Sequence, residues 1–558
     1  MRHGYSACMS KLRSGGRILV DALVRQGCDR IFTVPGESFL PVLDALVDSP
    51  QIDVVVTRAE GGAAFMAEAD GKMTHRPGIC FVTRGPGATN ASIGVHVAMQ
   101  DSTPMILFVG DVARDARDRE GFQEVDFPAF FAPLCKWAAR IEDAARIPEY
   151  VARAYATAMN GRPGPVVLAL PEDMLESEAE ALDRPRIERV LQDNDISTSL
   201  EARRMIEAAE RPVMIIGGAG WTAQTGAEVG IFAEEFGIPL IAAFRRQDAV
   251  ANDCPVYAGN LGYGPNPKLV ERVRSADLVI ALGARLGEAT TDGYTLITPD
   301  HPDQKLIHVH PDPNELGSVF RTDLAICCDV LAFAALMTVP TTDAVQRRDG
   351  IEAHAEWEAW NTPVANGTAL DLGLVWKAMR DMLPADSIIC NGAGNFSAWA
   401  HRFWRYGAQP SQLAPTAGAM GYGVPAAIAA SIRFPDRRAV AVAGDGDFMM
   451  NGQELATAAR QGARLLVLLV DNGSYGTIRM HQERRYPARI SATELVNPDF
   501  AALARSYGGW AETVETTEQF APALERALAQ PGIALLHLRT DIEQISPTLT
   551  VSRLRGAR

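Results

Sequence analysis

Arg438-Ala439-Val440-Ala441-Val442-Ala443-Gly444-Asp445-Gly446-Asp447-Phe448 reads as an apolar strand that ends in two glycines with a carboxylate between them. Glycine lets the backbone approach a phosphate closely, and the carboxylate of Asp445 offers oxygen to a hard cation. A helix-like stretch over 452–460 follows, and then a second apolar run, Leu465-Leu466-Val467-Leu468-Leu469-Val470, stops at Asp471-Asn472-Gly473, about 24 residues after Gly446. This is a strand-helix-strand unit with polar residues at both strand ends. A right-handed crossover returns the second strand beside the first, so Asp445 and Asn472 meet where open parallel sheets form their ligand crevice. The pattern describes a diphosphate-bearing ligand held through a metal ion. Oxygen ligands point to magnesium, with calcium harder to exclude than zinc. An isolated Gly-Asp-Gly is ordinarily a turn between strand and helix, and the spacing and flanking strands argue against that reading.

Working outward, Ile52-Asp53-Val54-Val55-Val56-Thr57 reads as a strand that leads to Glu60 at a strand-to-helix turn. Glu68, in the middle of the helix behind it, reads as a solvated surface carboxylate. The strand Ile79-Cys80-Phe81-Val82-Thr83 runs into the glycine-rich turn Arg84-Gly85-Pro86-Gly87-Ala88-Thr89-Asn90. Gly392-Ala393-Gly394-Asn395-Phe396-Ser397 follows the strand Ser387-Ile388-Ile389-Cys390. Gly418-Ala419-Met420-Gly421-Tyr422-Gly423 precedes an alanine-rich helix, where Met420 taken alone would be core filler.

In this order and spacing the motifs resemble those of the thiamine diphosphate-dependent enzymes, and among them the acetolactate synthase-like group (large catalytic subunit). The family signature is Gly-Asp-Gly, a spacer of this length, and Asn-Asn; here the last pair reads Asp471-Asn472. The resemblance implies that Asp445, Asn472 and the main-chain oxygen of Ser474 hold magnesium, with Gly444, Gly446, Asp447, Tyr475 and Gly476 around the diphosphate. Gly394 and Asn395 would contact the diphosphate too, although Asn395-Phe396 replaces the usual polar pair. It implies that Glu60 hydrogen-bonds the aminopyrimidine ring and promotes the tautomer that removes the thiazolium C2 proton. Pro35, Gly36, Thr83, Pro86 and Asn90 would line the pyrimidine pocket, with Arg84 where serine is usual, and Met420 beside Gly418 would support the bent cofactor. Phe122 and Gln123 resemble a pair placed beside the reacting carbons.

The activity implied is decarboxylation of a 2-oxo acid and transfer of the two-carbon or acyl fragment to a carbonyl acceptor. The alternative is a 2-oxo acid decarboxylase or another carbon-carbon lyase, similar to benzoylformate decarboxylases or 2-hydroxyacyl lyases. Leu286-Gly287-Glu288 replaces the Phe-Asp-Asp-Arg that follows Gly-Ala-Arg in acetolactate synthases, which removes a group expected to bind the acceptor's carboxylate. Thr477-Ile478-Arg479-Met480-His481-Gln482 stands in place of a Gln-Trp pair, so the pocket mouth differs. The family's central domain holds flavin adenine dinucleotide (FAD), and Gly217-Gly218-Ala219-Gly220 with Gly283-Ala284-Arg285 leaves that cofactor open, although the glycines alone are a weak signal. By the same resemblance, active sites lie at the subunit interface of a homodimer or homotetramer.

Apolar runs alternating with helical patterns predict an α/β chain of three doubly wound parallel-sheet domains. They span 10–185, 198–340 and 369–545, with charged linkers over 176–195 and 340–368, and their order resembles the pyrimidine-binding, central Rossmann-like, and diphosphate- and magnesium-binding domains of the acetolactate synthase group. At 558 residues and 47% hydrophobic content the chain can bury several cores. A formal charge of −15 argues against nucleic acid and anionic membranes as partners, while the family resemblance implies small-molecule 2-oxo acids or related carbonyl compounds as substrates. Without a run of about 20 apolar residues or a signal-peptide pattern, the expected address is the cytoplasm. Eight scattered cysteines favour neither zinc nor disulfides; Cys327-Cys328 read as buried small residues, and His308 and His310 as structural residues on one strand face.

Overall fold

The short apolar runs become parallel strands because each is buried on both faces by the helices that connect them. The computed structural model describes residues 12–193, 195–300, 303–337, 347–407 and 409–556. It divides into two compact units, one ending at Val190 and one beginning at Leu191.

The first unit carries β1 (Leu12–Ser14), β2 (Arg30–Thr33), β3 (Asp53–Val56), β4 (Gly78–Val82), β5 (Met105–Asp111), β6 (Trp137–Arg140), β7 (Pro165–Pro171) and β8 (Glu178–Glu180). Six of these form a parallel sheet in the order β3-β2-β4-β5-β7-β6. Every residue of β4, β5 and β7 is buried. Ile31, Phe81, Ile106, Phe108 and Leu168 share one core cluster, in which Phe81 stacks on Phe108 at 4.6 Å. Each such side chain contributes about 1.5–3 kcal/mol by leaving water.

The second unit holds two parallel sheets. β9 (Pro212–Ile216), β10 (Leu240–Ala242), β11 (Tyr257–Asn260), β12 (Leu278–Leu282), β13 (Lys305–Val309) and β14 (Leu324–Ile326) lie in the order β11-β10-β9-β12-β13-β14. β15 (Ile388–Asn391), β16 (Gln412–Leu413), β17 (Ala439–Gly444), β18 (Leu465–Asp471), β19 (Trp510–Val514) and β20 (Ala534–Arg539) lie in the order β16-β15-β17-β18-β20-β19. The first and third sheets therefore have one topology, and the middle sheet has the order of a dinucleotide-binding fold. The α/β class with three doubly wound sheets is what the sequence predicts.

Both linker expectations need correction. Glu178–Glu180 pairs antiparallel with Leu12–Ser14, and a helix, Asp349–Trp360, occupies the second linker. That helix buries Ala353 and Trp357 and packs along β11, so its acidic residues mark a solvated face and not a flexible tether. Residues 338–346, with the predicted boundary at 340, lie outside the described residues. Cys328 is buried as expected, but Cys327 is exposed and its thiol donates to Gln192. His308 and His310 are both buried, and burial lowers both below the ordinary imidazole value, His310 to about 4. Among the described residues no helix is long and apolar enough to cross a membrane.

Candidate active site

In an open parallel sheet the crevice lies where the chain connections diverge to opposite sides. In the first sheet this point falls between β2 and β4, and it gathers Pro35, Gly36 and Thr83. Thr83 packs against Gly36 and shares a 2.9 Å hydrogen bond with Ser38. Glu60 opens the helix Glu60–Thr74, half-buried, and its Oε2 accepts from Asn90 Nδ2 at 3.0 Å. The pair meets because the helices Glu60–Thr74 and Gly85–Asp101 touch one turn further on. There a Cβ on Gly94 would lie 2.4 Å from Ala64 Cβ, so a larger residue at 94 would push Asn90 away from Glu60.

Glu68 departs from the sequence reading. It is fully buried, accepts from Thr103 Oγ1 at 2.7 Å, and lies 3.0 Å from Lys72 Nζ, which also pairs with Asp101. The apolar packing of the two helices excludes water, and the interior lysine compensates the charge.

Pro86 stands exposed in the first turn of Gly85–Asp101. Phe122 is 71% exposed and Gln123 adopts φ +64°, on a loop whose Gln123 carbonyl accepts from Gly85 N at 3.0 Å. Arg84, buried, donates to the Phe122 carbonyl at 3.4 Å and pairs with Glu172. The arginine that replaces serine therefore tethers the Phe122-Gln123 loop.

In the third sheet the divergence lies between β15 and β17, with β18 alongside, where Gly444 pairs with Val470. Asp445 and Asp471-Asn472 are consequently neighbours at strand ends. Asp445 Oδ2 and Asp471 Oδ1 each accept from Asn497 Nδ2 at 2.8 Å, and Asp471 Oδ2 accepts from His537 Nε2 at 2.9 Å. Burial raises Asp445 to about 6, with the neighbouring Asp471 adding to it against the hydrogen bonds of Asn497 and Gly446. Burial also pushes Asp471 up, but His537, Gly473 and Asn497 outweigh it and hold Asp471 below the ordinary carboxylate value. Asn472 Oδ1 accepts from Ser474 N at 3.0 Å, Ser474 is pinned through Oγ to the Thr493 carbonyl at 2.9 Å, and the Tyr475 ring lies against Gly446. Gly476 begins the helix Gly476–Arg485.

These donors fit a magnesium ion. They are oxygens of a carboxylate, an amide and a main chain, and Asp445 is a buried carboxylate with no cationic partner among the described residues.

Asp447 is held by two main-chain donors. It is 2% exposed, and its Oδ1 accepts from Ala393 N at 3.0 Å and Gly421 N at 2.9 Å. Burial pushes it up to about 7 against those two N–H groups. It thus ties the loop carrying Gly394 and Asn395 to the loop carrying Gly418 and Met420. The side chain of Asn395 accepts from Thr477 Oγ1 at 2.9 Å and donates to the Ile545 carbonyl at 2.7 Å, while the Phe396 ring lies against Gly394 and Gly444. Met420 is half-buried on its loop, and so is not core filler. Gly394, Asn395 and Gly418 line a cavity of about 700 Å³ with residues of the middle sheet and of the C-terminal segment.

Asn497 and His537 carry no motif, and sequence reasoning passed over them. In the middle sheet the glycine turns after β9 and β12 contact each other: a Cβ on Gly218 would lie 1.9 Å from the Gly283 carbonyl oxygen. Trp221 is buried there with its indole N–H on the Gly217 carbonyl at 2.7 Å. Internal packing therefore accounts for the glycines that left a flavin open.

Residues 13–130, 200–337 and 392–538 match the N-terminal TPP binding domain, the central domain and the C-terminal TPP binding domain of the thiamine pyrophosphate enzymes. The chain is 31% identical over 563 residues to an acetolactate synthase large subunit of Parasynechococcus marenigrum, covering 96% of this chain and 89% of that protein. It is 30% identical over 544 residues to the acetolactate synthase isozyme 2 large subunit of Escherichia coli, covering 96% and 97%. The acetolactate synthase large subunit of Corynebacterium glutamicum is 30% identical, with 94% and 86% covered.

Proposed function

The chain belongs to the thiamine pyrophosphate enzyme family, and on that premise we propose that it is a magnesium-dependent carboligase of acetolactate synthase type. It takes a 2-oxo acid, releases carbon dioxide, and joins the remaining acyl fragment to a carbonyl acceptor. The observation that carries this reading is the third-sheet crevice, where Asp445, Asn472 and Ser474 come together next to the loops tied by Asp447.

Bound there, thiamine diphosphate would supply the electron sink that such decarboxylation requires. The residues supply the rest. Asp445, Asn472 and the Ser474 main chain hold magnesium, and the ion neutralises the diphosphate. Gly394 and Gly418 leave the backbone open to that group, and Met420 supports the cofactor from its loop. Pro35, Gly36, Thr83 and Pro86 surround the pyrimidine. Glu60, fixed by Asn90 at 3.0 Å, exchanges a proton with the pyrimidine ring nitrogen. Phe122 and Gln123, on the loop held by Arg84, face the acceptor. We assign no role to FAD. A cytoplasmic homodimer or homotetramer, with sites shared between subunits, fits the exposed Met449, Met450 and Ile478 near the metal-holding strand ends, since exposed apolar side chains favour a partner.

The test is a mass-spectrometric screen of a 2-oxo acid panel with thiamine diphosphate and magnesium, on the wild type and Glu60→Gln. Wild type is expected to release carbon dioxide and form a carboligation product. The variant is expected to bind the cofactor by calorimetry and lose at least about 100-fold in turnover. Carbon dioxide with no joined product would make the protein a decarboxylase, and full turnover by the variant would remove Glu60 from its role.

A further inference from the structure

The cavity lined by Gly394, Asn395 and Gly418 lies wholly within the second unit and is cationic and aromatic in character. Arg245, Arg402 and Arg484 line it, and Asp292 is its single lining carboxylate. Its volume of about 700 Å³ is that of a site for a ligand far larger than pyruvate. Trp357, Trp360, Phe244 and Tyr263 supply the walls.

Arg402 stands out among the cations. Its guanidinium stacks on the Trp360 ring at 3.8 Å. Its Nε and Nη2 donate to the Trp360 carbonyl at 3.1 and 3.0 Å, and its Nη1 donates to the Pro547 carbonyl at 3.4 Å. Both acceptors are main-chain carbonyls, and among the described residues no carboxylate pairs with it. A guanidinium has five N–H donors, so one remains on each Nη, and a carboxylate can accept from them. Burial lowers the group to about 10, which leaves it charged at neutral pH.

We infer that Arg402 receives the retained carboxylate of an acceptor 2-oxo acid with an aromatic side chain, whose ring lies against Trp360 and its neighbours. This rests on the carboligation proposed above and names its acceptor class. In the step concerned, the donor loses carbon dioxide, its acyl carbon bonds to the acceptor's carbonyl carbon, and that carbonyl oxygen takes a proton. The acceptor's carboxylate is unchanged and remains on Arg402. The position answers the missing Asp-Asp-Arg group after Arg285: the cation that receives the acceptor comes from the helix Ser397–Phe403, which follows β15.

The test uses the full-length protein loaded with thiamine diphosphate and magnesium. Carbon dioxide release together with a joined product from the 2-oxo acid panel, by the wild type, checks the parent reading by itself. Calorimetric titration with 3-phenylpropionate and with propionate, neither of which can react, then reads the acceptor site without turnover. Wild type is expected to bind phenylpropionate at least about 10-fold tighter than propionate, since the ring adds buried apolar area. Arg402→Gln is expected to weaken phenylpropionate about 10- to 100-fold and to raise the acceptor KM more than it lowers kcat. Arg402→Lys, which keeps the charge and loses the fork, should recover part of that loss. Should Arg402→Gln fail to fold, the lysine variant carries the comparison. Unchanged phenylpropionate binding in a folded variant, no preference for the ring, or the yellow absorbance of a flavin in the purified protein would overturn the inference. Each of those results leaves a carbon dioxide release with a joined product, and hence the parent reading, standing.

Discussion

Replacing Asp447 with alanine removes one acceptor atom from two main-chain donors at once. Its Oδ1 holds Ala393 N at 3.0 Å and Gly421 N at 2.9 Å, and the side chain is 2% exposed, so bulk water cannot take over. A buried donor left without an acceptor costs about 1–3 kcal/mol. Two such donors give about 2–5 kcal/mol, allowing for partial relaxation of the loops. Asparagine keeps an oxygen at the same place and abolishes only a buried charge, so Asp447→Asn should lose less than about 1 kcal/mol. For a sheet domain of this size each kcal/mol shifts the melting temperature by about 2–4 °C. Alanine should therefore lower the transition by roughly 5–15 °C, and asparagine by a few degrees at most. Scanning calorimetry on the apo-protein measures this without a cofactor, and titration with thiamine diphosphate then reports whether the two loops still present Gly394 and Gly418. An alanine variant that melts with the wild type would refute the reasoning. An asparagine variant as damaged as alanine would show that the charge matters and the acceptor does not.

Two further outcomes follow from buried charges. Lys72→Met should destabilise the first unit by about 3–5 kcal/mol, because Glu68 and Asp101 then share a dry interior without their cation; a melting curve like that of the wild type would contradict this. In the second unit the C-terminal helix Val551–Gly556 is held by Arg555, which donates to Glu483 at 2.7 and 3.0 Å and holds that carboxyl at about 2, with Ala488 N and Arg479 adding to it. The folded value lies below the ordinary one, so the stabilisation is complete above about pH 4.5 and is lost as pH falls toward 2. Since Arg555 is 40% exposed, the effect is discounted to about 1–2 kcal/mol. Hydrogen exchange over 551–556 should rise across that window, and Glu483→Gln should raise it at neutral pH; protection indifferent to both would exclude the latch.

The sequence by itself determined the α/β class and the three sheets. Strand-ending glycines and the residues after them are local signals: Gly444-Asp445-Gly446, Asp471-Asn472 and Thr83 to Asn90 each depend on a strand stopping and a helix starting, which periodicity and turn residues encode within a dozen positions. The meeting of Asp445 with Asn472 was legible too, because a right-handed crossover leaves one place for the second strand. Tertiary structure alone decided the partners. Glu68 looked solvated until Lys72, Asp101 and Thr103 closed over it, and the main-chain partners of Asp447, Ala393 and Gly421, lie on loops distant in sequence. Asn497 joins Asp445 to Asp471 from a segment without any motif, and Arg402 meets Trp360 and Pro547 across long stretches of chain. Burial and hydrogen bonding depend on which distant segment arrives at a given point, and a linear pattern of residue types holds no record of that arrival.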